Sequence, residues 1–240
     1  MNLKYWLIIM FFFSTLLNAK VIAQIPEASG ICYISSTKTL LVANDEGWLY
    51  EITPKGKLVR KKYIGKYGLE GISYSSATDK LYLANEAKNS ILVMDRVSLK
   101  VEKEIKIKKE FKEKKVLTKS KKSGIEAIAF LDGELYISHQ ASVVFKVGSL
   151  KKNKTKIKQV YKHGYKDIAG LTFKDGYLYM VSDKKNLLIK YDINKNKTLQ
   201  KMKLPKFAQE GICFDEKNNV YFADDNGRVL KFKMKKFSIN

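Results

Sequence analysis

Gly68-Leu69-Glu70-Gly71-Ile72-Ser73-Tyr74 is a stretch that this chain repeats. Ser29-Gly30-Ile31-Cys32-Tyr33, Glu126-Ala127-Ile128-Ala129-Phe130, Ala169-Gly170-Leu171-Thr172-Phe173 and Glu210-Gly211-Ile212-Cys213-Phe214 follow the same rule. A small residue precedes an aliphatic one, then comes another small residue, then an aromatic. The aliphatic positions Ile31, Ile72, Ile128, Leu171 and Ile212 are spaced 41, 56, 43 and 41 residues apart. Self-similarity at that period signals a propeller or a solenoid. Within each copy the residues alternate with period two, so each copy reads as a strand. One face is large and the other small. The small face lets a neighbouring backbone approach closely, as the innermost strand of a propeller blade requires.

A second strand follows each copy: 40–45, 81–86, 135–140, 178–183 and 220–225. Two of the intervening turns are Asp132-Gly133 and Asp175-Gly176, a pair that tolerates positive φ in a tight hairpin. Third strands are read at Trp48–Ile52, Ile91–Asp95, Val143–Val147, Leu187–Asp192 and Val229–Lys233. More polar fourth strands close the units, as at Leu58–Ile64 and Thr198–Leu204. The expected fold is all-β, a five-bladed β-propeller of four-stranded antiparallel blades. The last unit runs out after its third strand, which would leave an edge exposed. Residues 21–25 stand where a fourth strand precedes every other copy. They are therefore expected to close the ring as the outer strand of the last blade.

Residues 1–19 differ in kind. Lys4 precedes an apolar run and a small residue at Ala19, the pattern of a secretory signal peptide. The run is short for a membrane span, though an uncleaved N-terminal anchor stays open. Cleavage after Ala19 would keep the closing strand. The expected division is thus a signal segment over 1–19 and a propeller over 20–240. A Lys-rich insertion at 108–123 accounts for the long repeat spacing. It is read as a loop or short amphipathic helix dispensable for folding.

The chain has 240 residues and a net charge of +22, from 46 Lys and Arg against 24 Asp and Glu. Only Arg60, Arg96 and Arg228 are arginines. Base and bidentate phosphate readout favours Arg, so the charge argues for a solvated basic surface, with no nucleic acid partner. Such a surface is drawn to anionic membranes nonspecifically. Cys32 and Cys213 stand at equivalent positions in neighbouring units. Either they bridge the ring closure or the site simply takes a small residue. His163 is read as an exposed loop residue.

The start of the first strand and the end of the second lie at one end of an antiparallel hairpin. That rule gathers polar residues at one mouth of the ring. Entry positions carry Glu27, Glu70, Glu126, Asp167 and Glu210. Exit positions carry Asn44, Asp45, Asn85, Glu86, His139, Gln140, Asp183, Asp224 and Asp225. Converging carboxylates repel unless a cation or protons neutralise them. Hard oxygen donors suit Ca²⁺. Glu70, Glu86, Glu126, Asp167, Asp183 and Glu210 are the expected metal ligands, and Glu27, Asn44, Asp45, Asn85, His139, Gln140, Asp224 and Asp225 the expected pocket lining. The competing reading makes these acids caps that accept backbone N–H bonds where each blade begins.

Glu27-Ala-Ser-Gly-Ile31, Leu69-Glu-Gly-Ile72, Gly124-Ile-Glu-Ala-Ile-Ala129, Asp167-Ile-Ala-Gly-Leu171 with Val181-Ser-Asp183, and Gln209-Glu-Gly-Ile212 come in this order. In that sequence they resemble the signatures of the SdiA-regulated (YjiK-like) family, over about residues 25–232. The resemblance implies a five-bladed propeller, an exported or membrane-anchored protein and a bound calcium ion, with no established activity. Ala127 stands where the third motif has Gly, and Ala169 where the fourth has Ser. The second change puts any hydroxyl ligand or nucleophile there in doubt.

Two functions fit. The first is a monomeric binding propeller in the periplasm or cell envelope that presents loops to a protein, glycan or small ligand. The second is a Ca²⁺-dependent hydrolase of the lactonase, phosphoesterase or phytase kind at the acidic mouth. The chain shows no Ser/His/Asp set and no His dyad, and the entry motifs hold no interleaved Lys or Arg.

Overall fold

Every repeat copy lies on a strand, and every such strand begins a hairpin. The computed structural model describes residues 19–117, 124–139 and 143–233. The signal-segment reading of residues 1–18 lies outside them, as do Gln140 and the 118–123 part of the insertion.

The first group comprises β1 (Lys20–Gln24), β2 (Ala28–Ile34), β3 (Thr39–Asn44), β4 (Trp48–Ile52) and β5 (Leu58–Tyr63). Next come β6 (Leu69–Ser75), β7 (Lys80–Asn85), β8 (Ser90–Asp95) and β9 (Lys100–Lys108), then the small pair β10 (Glu110–Phe111) and β11 (Lys114–Lys115). They are followed by β12 (Ile125–Leu131), β13 (Glu134–His139), β14 (Val143–Val147) and β15 (Lys154–Lys162). The chain continues through β16 (Ile168–Lys174), β17 (Tyr177–Ser182), β18 (Leu187–Asp192) and β19 (Lys197–Lys203). It ends in β20 (Gln209–Phe214), β21 (Asn219–Asp224) and β22 (Arg228–Lys233).

Consecutive strands pair antiparallel within β2–β5, β6–β9, β12–β15 and β16–β19. The last three strands take β1 as their fourth, in the order β1-β22-β21-β20. Lys20 stands opposite Lys231 and Gln24 opposite Arg228. The fold is all-β and propeller-like.

The first strands meet around one axis. β2 lies beside β6 and β20, β6 beside β12, and β16 beside β12 and β20. Their small residues set the spacing. A Cβ on Gly30 would come within 3.0 Å of the Gly71 Cα, and one on Gly211 within 3.1 Å of the Gly30 Cα. The axial space between Gly30, Gly71, Ala127, Gly170 and Gly211 holds room for about one water. Apolar clusters fill the wedges between neighbouring units. Ile72 packs with Cys32 and Leu41, for example, and Leu171 with Ala129 and Tyr136. Asp132 and Gly133, like Asp175 and Gly176, take positive φ as the hairpin turns require.

Three expectations change. The insertion is not a free loop. β10 and β11 pair, Leu117 is 0% exposed, and Phe111 and Val116 pack on the apolar cluster of β7–β15. Lys108, Lys112, Lys114 and Lys115 face solvent while Phe111, Val116 and Leu117 close that cluster, which makes this part of the insertion part of the core. His163 is half-buried, with Nδ1 accepting the Tyr165 N–H and the ring stacked on Tyr165. Burial pushes its pKa down to about 4. Finally, β15 pairs with β9 in parallel, which merges two units into one eight-stranded sheet. Cys32 and Cys213 are buried free thiols, with pKa values raised by burial.

Candidate functional site

Entry and exit residues do share one end of the molecule. Asn44 stands opposite Ala28, Asn85 opposite Leu69, His139 opposite Ile125 and Asp224 opposite Gln209. Backbone bonds tie the two loops together: Asp45 N–H to Glu27 O, Glu86 N–H to Gly68 O, and Asp225 N–H to Ala208 O.

A β-bulge at the start of each first strand decides where the acids go. The register slips between Ala28 and Gly30, Leu69 and Gly71, Ile125 and Ile128, Ile168 and Gly170, and Gln209 and Gly211. The extra residue of a bulge is unpaired and its side chain is re-aimed. Glu70, Glu126 and Glu210 fall at these slips, with Ser29 and Ala169 at the equivalent places. Glu210 reaches the lining of the axial space. Glu27 and Asp167 stand just before the bulges, at φ 47° and 59°.

The carboxylates sense one another. Burial, then Glu126, Asp45, Glu210 and Glu86, push the Glu70 pKa up to about 9. Burial, then Asp183, Asp225, Glu126 and Asp167, raise Glu210 to about 8. Burial, then Glu86 and Asp167, raise Glu126 to about 7, against the opposing bond from the Gly124 backbone. Glu126 is 9% exposed, and its Oε1 has no hydrogen-bond partner among the described residues. The Glu86 side chain fills the space beside Gly124, where an added Cβ would meet Glu86 Cγ at 2.2 Å. Asp45 and Asp183 are raised by burial first and by neighbouring acids next. Asp183 Oδ1 also accepts the Gln209 N–H at 3.0 Å, so this acid caps a first strand.

Several expected pocket residues lie beneath the mouth instead. Asn44 is buried, its Nδ2 donating to Pro26 O and its Oδ1 accepting the Trp48 N–H. Asp224 is buried, held by the Asn226 N–H and by Arg228 Nε at 2.7 Å. His139 is buried beside Phe145. Asn85 is 1% exposed, and neither amide atom has a partner among the described residues. These side chains point into the hairpins because their parity puts them on the packed face. Glu27 and Asp225 are exposed and share an open depression with Asn226. A second depression, between β17–β18 and β21–β22, is lined by Asp183, Lys184, Asn186, Lys206, Phe207 and Arg228. Its Lys184, Lys206 and Arg228 were not foreseen from the sequence, where the entry and exit positions drew attention to acids, amides and His139.

Among the described residues no three acid, His or Cys side chains close into a metal shell. The arrangement is a loose ring of hard oxygens, partly buried, with one orphaned carboxylate oxygen. That donor chemistry fits protons or a cation that keeps part of its water.

The sequence profile of the SdiA-regulated family matches residues 8–233. The chain belongs to the SdiA-regulated family. A search of curated proteins gave no match. Among solved structures, this family member is similar to the glutaminyl cyclase of Myxococcus xanthus. The TM-score is 0.68 at 11% identity, covering 89% of this chain and 95% of that one. It is also similar to the β-propeller domain of Myceliophteria thermophila Cps50 (Swd1), at TM-score 0.56 and 9% identity, covering 90% and 100%. At such identities the likeness is one of fold.

Proposed function

We propose that this SdiA-regulated protein is an exported five-bladed propeller that binds Ca²⁺ at its acidic mouth. β1 serves as the outer strand of the last blade. The loops around the mouth present a surface to a protein, glycan or small ligand of the cell envelope. Export rests on the basic start, apolar run and small residue within 1–19.

The Glu126 carboxylate carries the cation reading. It is buried against Glu86 and Asp167, and its Oε1 lacks a partner among the described residues. A buried unpaired carboxylate oxygen is costly, and a proton or a cation relieves it. Glu70, Glu86, Glu126, Asp167, Asp183 and Glu210 supply the hard oxygens. Ca²⁺ takes six to eight oxygens with water among them, so a loose ring suffices. Near neutral pH Glu70 and Glu210, and part of Glu126, hold protons, and Ca²⁺ displaces them on binding. Calorimetry in two buffers of different ionisation enthalpy tests this. The expected result is Ca²⁺ binding with proton release, weakened in Glu126→Gln. Neither heat nor a melting shift with millimolar Ca²⁺ would end the cation reading.

A second reading is favoured by the Glu126 pKa of about 7, which suits a general base near neutral pH. A bound cation would supply Lewis-acid polarisation to such a hydrolytic site. Ester, lactone, phosphate-ester and glutaminyl-peptide substrates, with and without Ca²⁺, separate the two. Turnover lost in Glu126→Gln would favour the enzyme.

A further inference from the structure

We infer that the outer face of the seam between β9 and β15 binds an inorganic polyphosphate chain. In this parallel seam Lys106 stands opposite Lys154, Ile107 opposite Thr155, and Lys108 opposite Lys156. Alternation sends Ile105, Ile107 and Ile157 into the apolar cluster and leaves the four lysines exposed on the other face. Like charges directly opposite one another destabilise a strand pair. The seam forms because burying the isoleucines stabilises it by more than a surface repulsion costs. The repulsion nevertheless remains in the folded protein.

Its own acids relieve it little: among the described residues only Glu104 senses one of the four lysines, Lys106, and it comes after Ser90 and Lys88 in that carboxylate's interactions. Among the described residues none of the four lysines is in an ion pair. Glu104, two residues before Lys106, is occupied by Ser90 and Lys88. Lys158, the next lysine along β15, lies 3.6 Å from Glu134. The turn before β15 adds Lys151, and Asn153 O fixes that turn to the Lys106 N–H.

The geometry selects the ligand class. The rows run in the same direction, about 4.8 Å apart, and repeat every 6.6 Å or so along the strand. Lysines are point charges that do not need the bidentate geometry of Arg. Two parallel rows suit a dense chain of phosphates, with more than one phosphate per repeat, laid along the seam. A single small anion would span only one pair. This site is separate from the acidic mouth and does not depend on it.

The test uses inorganic polyphosphate as the probe. Its arms are inorganic phosphate, vesicles of anionic phospholipid, and two fourfold Lys→Gln variants of equal net charge. One carries K106Q, K108Q, K154Q and K156Q. The other carries K184Q, K197Q, K201Q and K217Q, at exposed sites elsewhere. Wild type should bind polyphosphate with an affinity that falls as salt rises. The seam variant should lose about tenfold or more and show a shallower salt slope, while the second variant stays close to wild type. Restoring charge with Arg at the four seam positions should restore binding. Without polyphosphate the seam variant should melt above wild type, because its repulsion is gone, which also shows that it folds. Equal losses in both variants would reduce the effect to net charge and overturn the proposal. Tighter binding to the vesicles than to polyphosphate at matched phosphate would assign the seam to a membrane and overturn it as well.

Discussion

A Cβ on Gly71 would stand 2.8 Å from the Cα of Ala127, on the next first strand around the axis. The obstacle is backbone, which cannot rotate away as a side chain would. Gly71→Ala should therefore force β6 and β12 apart and cost about 1–3 kcal/mol, as overpacking does. Gly68→Ala, which meets only ordinary contacts from 3.5 Å outward, should be neutral or slightly stabilising. Urea titration of both variants checks this. Equal stabilities would mean that the axis is looser than its glycines indicate.

The mouth acids make stability depend on pH. Glu126, Glu210 and Glu70 have folded pKa values near 7, 8 and 9, above those of the unfolded chain. The folded state then binds more protons across that window, so stability falls as pH rises. In chelator the melting temperature should drop between about pH 5 and pH 9. Ca²⁺ should flatten the decline, since it favours the ionised forms. Glu126→Gln should remove the part of the decline that runs from about pH 4.5 up to about pH 7. A melting temperature that rises over this range in chelator would refute the raised carboxylates.

Leu117 gives the insertion a structural role. The side chain is fully buried, and its N–H bonds to Lys109 O at 3.1 Å. Leu117→Ala should cost about 2–5 kcal/mol. Replacing exposed Lys112, Lys114 and Lys115 by Ala should stay within about 0.5 kcal/mol per site. Thermal melts of the two variants make the comparison. Similar melting temperatures would return the insertion to the status of a loop.

Arg228 tells caps from ligands. It holds the buried Asp224 carboxylate beneath the mouth. Arg228→Met should destabilise by about 1.5–3 kcal/mol, because a buried charge loses its partner. Ca²⁺ affinity should not change, as Asp224 is spent inside its hairpin. A large loss of Ca²⁺ binding in a folded Arg228→Met protein would move Asp224 into the cation site.

The repeat was legible in the sequence because its cause is local. Large and small residues alternate within seven positions, Asp-Gly pairs set the hairpins, and strand parity places Glu70, Glu126 and Glu210 at one end. The pairing of β1 with β22 is distant in sequence, yet counting strands made it readable, since a unit one strand short needs a partner. Tertiary structure decided what depends on contacts between distant segments. Asn44 and Asn85 look equivalent in sequence. The turn after Asn44 returns the Trp48 N–H to its amide, whereas the turn after Asn85 holds one residue more and directs the Asn89 N–H to Glu86 O, leaving the Asn85 amide group without a partner among the described residues. Likewise, no local pattern announces that β9 and β15, 48 positions apart at Lys106 and Lys154, zip in parallel and set lysine against lysine. Alternation is written residue by residue, but register between units is set by how the whole ring packs.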